Sequence, residues 1–206
     1  MEPKFMISEV LSTSWKHTKS QIWVLAGLLI GYIIIATTLS LFAIPAEGSI
    51  MGTIIVNVIS LFISLIFSLG YTKNIFQALD GDEPQFSAYG QQARKILTFF
   101  AASLLASIAM FIGLVLFIIP GIYILLRLQF FPQMIVDEDA GIMQSLKHSW
   151  EITEGHAMQL FLLLLLTLLL CLLGLITLGV GFFVACPLVY MMQCYVYRKL
   201  NSPIQQ

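Results

Sequence analysis

Apolar residues run along this chain in six long stretches, at about 22–44, 50–72, 96–119, 121–136, 157–178 and 180–197, with polar positions gathered between them. Continuous runs rather than strict alternation predict helices and not the strands of a closed barrel. A helix needs about 20 apolar residues to cross a bilayer, and all but the fourth stretch meet or nearly meet that length. The fourth contains Arg127, Gln129, Pro132 and Gln133 and starts directly after Pro120-Gly121. It is expected to be kinked or partly re-entrant. It is kept as a crossing because otherwise Lys147, Arg198 and Lys199 would fall on the opposite side from the other cations.

A polar segment with helical periodicity precedes each pair of spans. Ile7, Leu11 and Trp15 recur at four-residue steps; Phe86, Tyr89, Ala93 and Ile96 step by three and four; Ile142 or Met143, Leu146, Trp150 and Thr153 do the same. Such stripes beside a span fit short amphipathic interfacial helices, the alternative being plain extensions of the spans that follow. Ser14-Trp15-x-x-Thr18 also matches Ser149-Trp150-x-x-Thr153. The expected architecture is therefore all-α: a single integral membrane domain over residues 1–206, built as a bundle of six transmembrane helices. It comprises three units, each an interfacial helix plus a helical hairpin.

Composition agrees with this pattern and orients it. The 206 residues are 59% hydrophobic and 10% charged, with mean hydropathy +0.93, whereas a soluble domain carries about a quarter charged residues. Nine of the ten Lys and Arg lie in segments that alternate with the apolar stretches, and none lies in the turns near 44–50, 119–121 and 174–181. Cytoplasmic loops retain Lys and Arg, so both ends are expected in the cytoplasm. The first stretch is too long for a signal-peptide core of about 7–15 residues, and it reads as a retained helix. A net charge of −1 gives no reason to expect nucleic acid. Cys171, Cys186 and Cys194 all sit inside apolar stretches and read as packing residues, not a disulfide framework or a metal site.

The strings Ile119-Pro-Gly-Ile-Tyr123, Arg127, Val136-Asp-Glu, Leu146-Lys-His-Ser-Trp150-Glu-Ile-Thr-Glu-Gly155 and Leu79-Asp-Gly-Asp-Glu-Pro-Gln-Phe86 resemble a bacterial pattern. It is that of the membrane domains associated with glycerophosphoryl diester phosphodiesterases and their uncharacterised YciC-like relatives. The resemblance implies a six-helix protein of the bacterial inner membrane. It implies no reaction, because in the diesterases catalysis belongs to a separate soluble domain.

Arg127 is the one charged residue well inside an apolar stretch, and an ionisable group there is a functional candidate. It could snorkel outward, pair with Glu47 or hold a lipid phosphate; the first of these needs no partner. Asn57, Ser60, Ser64 and Ser68 form a small polar stripe. Gly27-x-x-x-Gly31, and Thr167 with Cys171 and Gly174, form small-residue stripes that allow close helix packing. A functional alternative places Asn57 opposite Arg127 and Gln129 across a polar cavity. The remaining polar clusters carry no enzyme signature. His148, Glu151, Glu154 and His156 lack the His-Glu-x-x-His zinc arrangement; Asp137-Glu-Asp139 could hold a divalent cation but reads as a boundary; Asp80-Gly-Asp-Glu-Pro84 reads as a turn.

The expectation is thus a non-enzymatic membrane protein with no metal and no cofactor, binding lipid or a membrane protein partner in envelope physiology. Residues 5–19 and 141–154 supply the contact, Trp15 and Trp150 anchor at headgroups, and Lys16, Lys19 and Lys147 lie near lipid phosphates. The alternatives are a transporter or exchanger of a small amphiphile using Arg127 and Gln129, and a membrane enzyme acting on lipid headgroups through the His148–His156 cluster.

Overall fold

The computed structural model describes residues 4–43, 49–177 and 179–202, and every regular element among them is helical. A first pair consists of α1 (Ile7–Ala43) and α2 (Ile50–Asp80). A second consists of α3 (Ser87–Gln92), which leads through the 3-10 turn Ala93–Lys95 into α4 (Ile96–Leu116), and a return made of α5 (Ile118–Leu128) and α6 (Phe131–Glu138). The third consists of α7 (Ile142–Ile152), α8 (Ala157–Ile176) and α9 (Phe182–Asn201).

Among the described residues, five helical stretches are long and apolar enough to cross a membrane: Ile7–Ala43, Ile50–Asp80, Ser87–Leu116, Ile118–Glu138 and Ala157–Ile176. By length and composition they are candidate spans, which suggests a membrane protein. The sixth expected span corresponds to α9, which is not among them. Polar side chains interrupt it, from Gln193 through Arg198, Lys199 and Asn201. It packs against α1, α2 and α8, and ten of its twenty residues are buried. A helix wrapped by its neighbours presents less surface to the surrounding solvent, so it does not need an apolar face all round.

The core is concentrated at one end of the bundle, where the start of α1 meets the last turns of α2, α6 and α9. Val10, Ile75, Phe130, Met134, Val196 and Tyr197 are essentially inaccessible there. Towards the other end, Ile34, Leu41, Phe42, Ile54, Ile55 and Phe111 are exposed, a surface suited to hydrocarbon and not to water. At the packed end the two chain ends bind each other. Lys4 Nζ donates to the Leu200 carbonyl at 3.1 Å, Lys199 pairs with Glu9 at 2.9 Å, and the Tyr195 hydroxyl donates to Glu9 at 2.7 Å. Arg198 holds Asp80, and Tyr197 and Asn201 both donate to Glu138, at 2.6 and 2.5 Å.

Three expectations change. The first amphipathic segment is not a separate interfacial helix: α1 continues through it without a break. Its buried face is Val10, Ser14 and Thr18, against α9, and Trp15 points away, 45% exposed. The second shrinks to α3 and the 3-10 turn, with Ala88 and Gln92 buried and Phe86 83% exposed. Only the third is a helix of its own, and α7 packs on α4, α5 and α6, so its inner face meets protein. The broken return is the kink anticipated in the fourth stretch: α5 stops at Leu128, and Pro132 sits in the first turn of α6, where a missing N–H costs nothing. The turn after α2 forms as expected, with Gly81 at φ 87° capping the helix and the Asn74 side chain accepting from the Gln85 N–H at 2.9 Å.

The glycine contacts also differ from expectation. Gly27 and Gly31 have nothing within 4 Å of an added Cβ, and with Tyr32, Ile63 and Phe67 they line an open apolar cavity of about 290 Å³. Close approach occurs at the hairpin tips, and there Gly174, from the stripe expected in the fifth span, does pack closely. A Cβ on Gly113 would lie 3.0 Å from the Gly121 Cα, and one on Gly181 3.1 Å from the Gly174 Cα.

Candidate functional site

The break between α5 and α6 leaves backbone groups without helical partners, and these bring α7 and Arg127 together. The Gln129 side chain donates to the Leu126 carbonyl at 3.0 Å. The Arg127 carbonyl accepts from Ser149 Oγ at 2.9 Å and from Thr153 Oγ1 at 3.2 Å. Ser149 Oγ also accepts from the Phe130 N–H at 3.2 Å. The hydroxyls of the Ser149-Trp150-x-x-Thr153 motif therefore serve as caps for the broken helix.

The same contacts place Trp150 over the Arg127 guanidinium. Arg127 Cζ lies 4.7 Å from the Trp150 ring centre and 5.7 Å from that of Tyr123, and the two rings meet edge to face at 5.9 Å. Cation–π contacts of this kind are worth about 0.5–2 kcal/mol, most when desolvated. Arg127 is only 3% exposed, while Tyr123 and Trp150 are 43% and 38% exposed. Among the described residues the guanidinium has no carboxylate, and its buried Nε has no hydrogen-bond partner. The side chain leans back one turn towards Tyr123, as an outward-snorkelling Arg would, but it stays covered. Glu47, the acid considered as its partner, lies outside the described residues.

The other sequence candidates are placed as follows. Gln129 is half-buried and caps α5. Asn57 is exposed on the open half of α2; α2 packs on α1, α3, α4, α6 and α9, whereas α5 packs on α4, α7 and α8, so Asn57 and Arg127 are not brought together. Ser60 bonds back to Val56 within its own helix at 2.8 Å. Lys16, Lys19 and Lys147 are exposed. The repeated motif is reproduced in burial, with Ser14, Thr18, Ser149 and Thr153 all at 0% and both tryptophans exposed, yet Ser14 Oγ and Thr18 Oγ1 have no hydrogen-bond partner among the described residues. His148 contacts Glu151 at 3.6 Å and Asn201 at 2.8 Å. Among the described residues no group of three or more His, Cys, Asp or Glu is placed to hold a metal. Cys171, Cys186 and Cys194 are free thiols.

Sequence reading missed a polar cluster at the packed end. Lys95, 8% exposed, donates to the Val136 carbonyl at 2.9 Å and pairs with Asp139 at 2.5 Å. Arg94 reaches both Asp139 oxygens, at 3.1 and 3.2 Å. The Lys95 hydrogen bond, aided by both positive charges, holds the Asp139 carboxyl below the usual carboxylate range. Arg94-Lys95 and Asp137-Glu-Asp139 were both visible in the sequence, but nothing local to either shows that Arg94 and Lys95 meet Asp139.

The model of the family described as Domain of unknown function (DUF7847) matches residues 86–199. This is more than half of the chain, so the chain belongs to that family. The match takes in Arg127 and Ser149-Trp150-x-x-Thr153. It carries no link to the membrane domains associated with glycerophosphoryl diester phosphodiesterases or to YciC-like proteins, and the resemblance drawn from sequence is replaced by this assignment. No curated protein and no solved structure gives a match.

Proposed function

We propose that this member of the DUF7847 family is a non-enzymatic phospholipid-binding protein that holds a headgroup phosphate at Arg127. The observation that carries the reading is a buried guanidinium with no counter-ion among the described residues, roofed by two exposed aromatic rings. Arg remains charged in proteins. A desolvated charge without a partner is costly, and a phosphate offers two oxygens in the geometry a guanidinium binds best. The exposed rings give a lipid both an entrance and an apolar wall. Trp15, Lys16, Lys19, Lys147 and Trp150 then lie at the headgroup level of an anionic leaflet.

The reading includes an orientation. Bonds from Lys4 to Leu200 and from Glu9 to Lys199 support a reading in which both chain ends lie on the same side of a bilayer, with an even number of crossings. With five long apolar helices, α9 supplies the sixth. The Lys and Arg bias towards the packed end makes that end cytoplasmic, and the membrane a cytoplasmic one. Native mass spectrometry of protein gently purified from its own membranes tests the binding. Wild type should retain a stoichiometric phospholipid that Arg127→Leu loses and Arg127→Lys keeps in part. Equal retention by Arg127→Leu overturns the reading.

A further inference from the structure

We infer that the packed end contains a second binding site, specific for a phosphate group carrying a neighbouring hydroxyl, as in glycerol phosphate. A cavity of about 460 Å³ opens between α2, the 3-10 turn and the end of α6, lined among others by Lys73, Gln92, Arg94, Lys95, Asp137 and Asp139. This volume suits a small polar molecule. Its charge is not balanced: three cations face two carboxylates. Asp139 is occupied by both Arg94 and Lys95, and Arg94 engages it through Nη2 alone, so the rest of its fork is free. Lys73 makes no ion pair or hydrogen bond among the described residues, although Asp137 and Asp139 share the cavity with it.

Two further features select the ligand. Gln92 is 5% exposed, and its side-chain carbonyl has no hydrogen-bond partner among the described residues; a buried acceptor of this kind gains from a donor brought by a ligand. Lys73 Nζ and the unused edge of Arg94 supply donors for phosphate oxygens. Asp137 opposes the phosphate charge of ester and inorganic ion alike. A phosphate ester with a neighbouring hydroxyl can give its phosphate oxygens to the cations and a separate hydroxyl to Gln92, whereas inorganic phosphate must turn one of its own oxygens to Gln92 and away from the cations. The ester could be a free solute or the headgroup of phosphatidylglycerol.

The site is independent of Arg127, and the test keeps the two apart. Full-length protein in a phosphate-free maltoside detergent is titrated calorimetrically with glycerol 3-phosphate, inorganic phosphate and glycerol. Wild type should bind glycerol 3-phosphate at one saturable site and more tightly than inorganic phosphate. Arg127→Leu should bind it equally well. Lys73→Gln removes a side chain with no bonds of its own, and should weaken binding about tenfold or more, the weight of one charge-assisted hydrogen bond. Asp137→Asn should tighten it. Repeating the titration in nanodiscs distinguishes the source: phosphatidylglycerol competes if the headgroup is the ligand, and matches phosphatidylcholine if the ligand is a free solute. No saturable binding by wild type, or unchanged affinity in both Lys73→Gln and Asp137→Asn, overturns the site. Inorganic phosphate binding as tightly as the ester overturns the role given to Gln92.

Discussion

Two copies of one motif make opposite predictions, and the comparison is a sharp test of the broken return. Among the described residues, Ser149 Oγ is the only acceptor bonded to the Phe130 N–H and one of two side-chain donors to the Arg127 carbonyl. Ser149→Ala therefore strands a buried N–H, at a cost of about 1–3 kcal/mol. The single Thr153 hydroxyl proton is shared between the Arg127 carbonyl at 3.2 Å and the Ser149 and Trp150 carbonyls of its own helix at 2.7 and 3.0 Å, so Thr153→Val, which leaves Ser149 in place, should cost about 0.5–1.5 kcal/mol. With both removed, the Arg127 carbonyl has no side-chain partner. The double variant should exceed the sum of the singles by about 0.5 kcal/mol or more, a coupling reserved for groups that share a partner. Ser14 and Thr18 are just as buried, but their hydroxyls have no partner among the described residues. Ser14→Ala and Thr18→Val should thus fall within about 0.5 kcal/mol of wild type, or stabilise, since an unpartnered buried hydroxyl is itself a cost. Denaturant or SDS titration of the detergent-solubilised protein reads all five variants. The reasoning is refuted if Ser14→Ala costs as much as Ser149→Ala, or if the Ser149 and Thr153 effects simply add.

Glycine substitutions separate the two kinds of glycine contact. In Gly121→Ala the new Cβ would sit 2.9 Å from the Leu114 Cα, so destabilisation by about 1–3 kcal/mol is expected. Gly31→Ala meets nothing within 4 Å and should gain up to about 1 kcal/mol in the same unfolding titration from helix propensity. In Gly70→Ala the Cβ would fall 2.2 Å from the Tyr89 ring, so α3 should be displaced from α2, seen as faster amide exchange across residues 87–92. Acid should expose the Asp139 pairs. A carboxyl depressed by Lys95 and Arg94 contributes stability that is complete above the unfolded value of about 3.9, and that is lost as pH falls through the lower folded value. The stability gap between wild type and Asp139→Asn should be constant from neutral pH to just above that value and close below it; a gap that already closes between about pH 5 and pH 7 would refute the assignment.

Most of the helix positions were legible because crossing a bilayer is demanded of each segment separately. The apolar runs anticipated α4, α8, the start of α2 and the apolar part of α1 to within a few residues, although α2 runs eight residues beyond its expected end, to Asp80, and Pro132 with Arg127 and Gln129 marked the broken return. The third amphipathic segment became a helix and the first did not, for a local reason. Gly155 takes φ 78° between α7 and α8, whereas the matching position in the first copy is Ser20, and the helix runs through it. The Ser-Trp-x-x-Thr match was visible, but its meaning was not: the hydroxyls point inward in both copies and bond in only one. The Gly27 stripe misled because spacing reveals a notch in a helix and not whether a neighbour fills it.

The sequence by itself determined the class of the protein, the approximate limits of most of its spans and the end of the bundle at which charge collects. These follow from hydropathy, a property of each residue against its solvent, summed over the thickness of a membrane. Only the tertiary structure decided which helices enclose α9, which glycines touch, that Arg127 is roofed by Tyr123 and Trp150 without an acid among the described residues, and that Arg94 and Lys95 meet Asp139. Those outcomes depend on the rotation of each helix about its axis and on partners in other elements, more than 40 residues away for Arg94 and Lys95, and no local pattern in the chain encodes either.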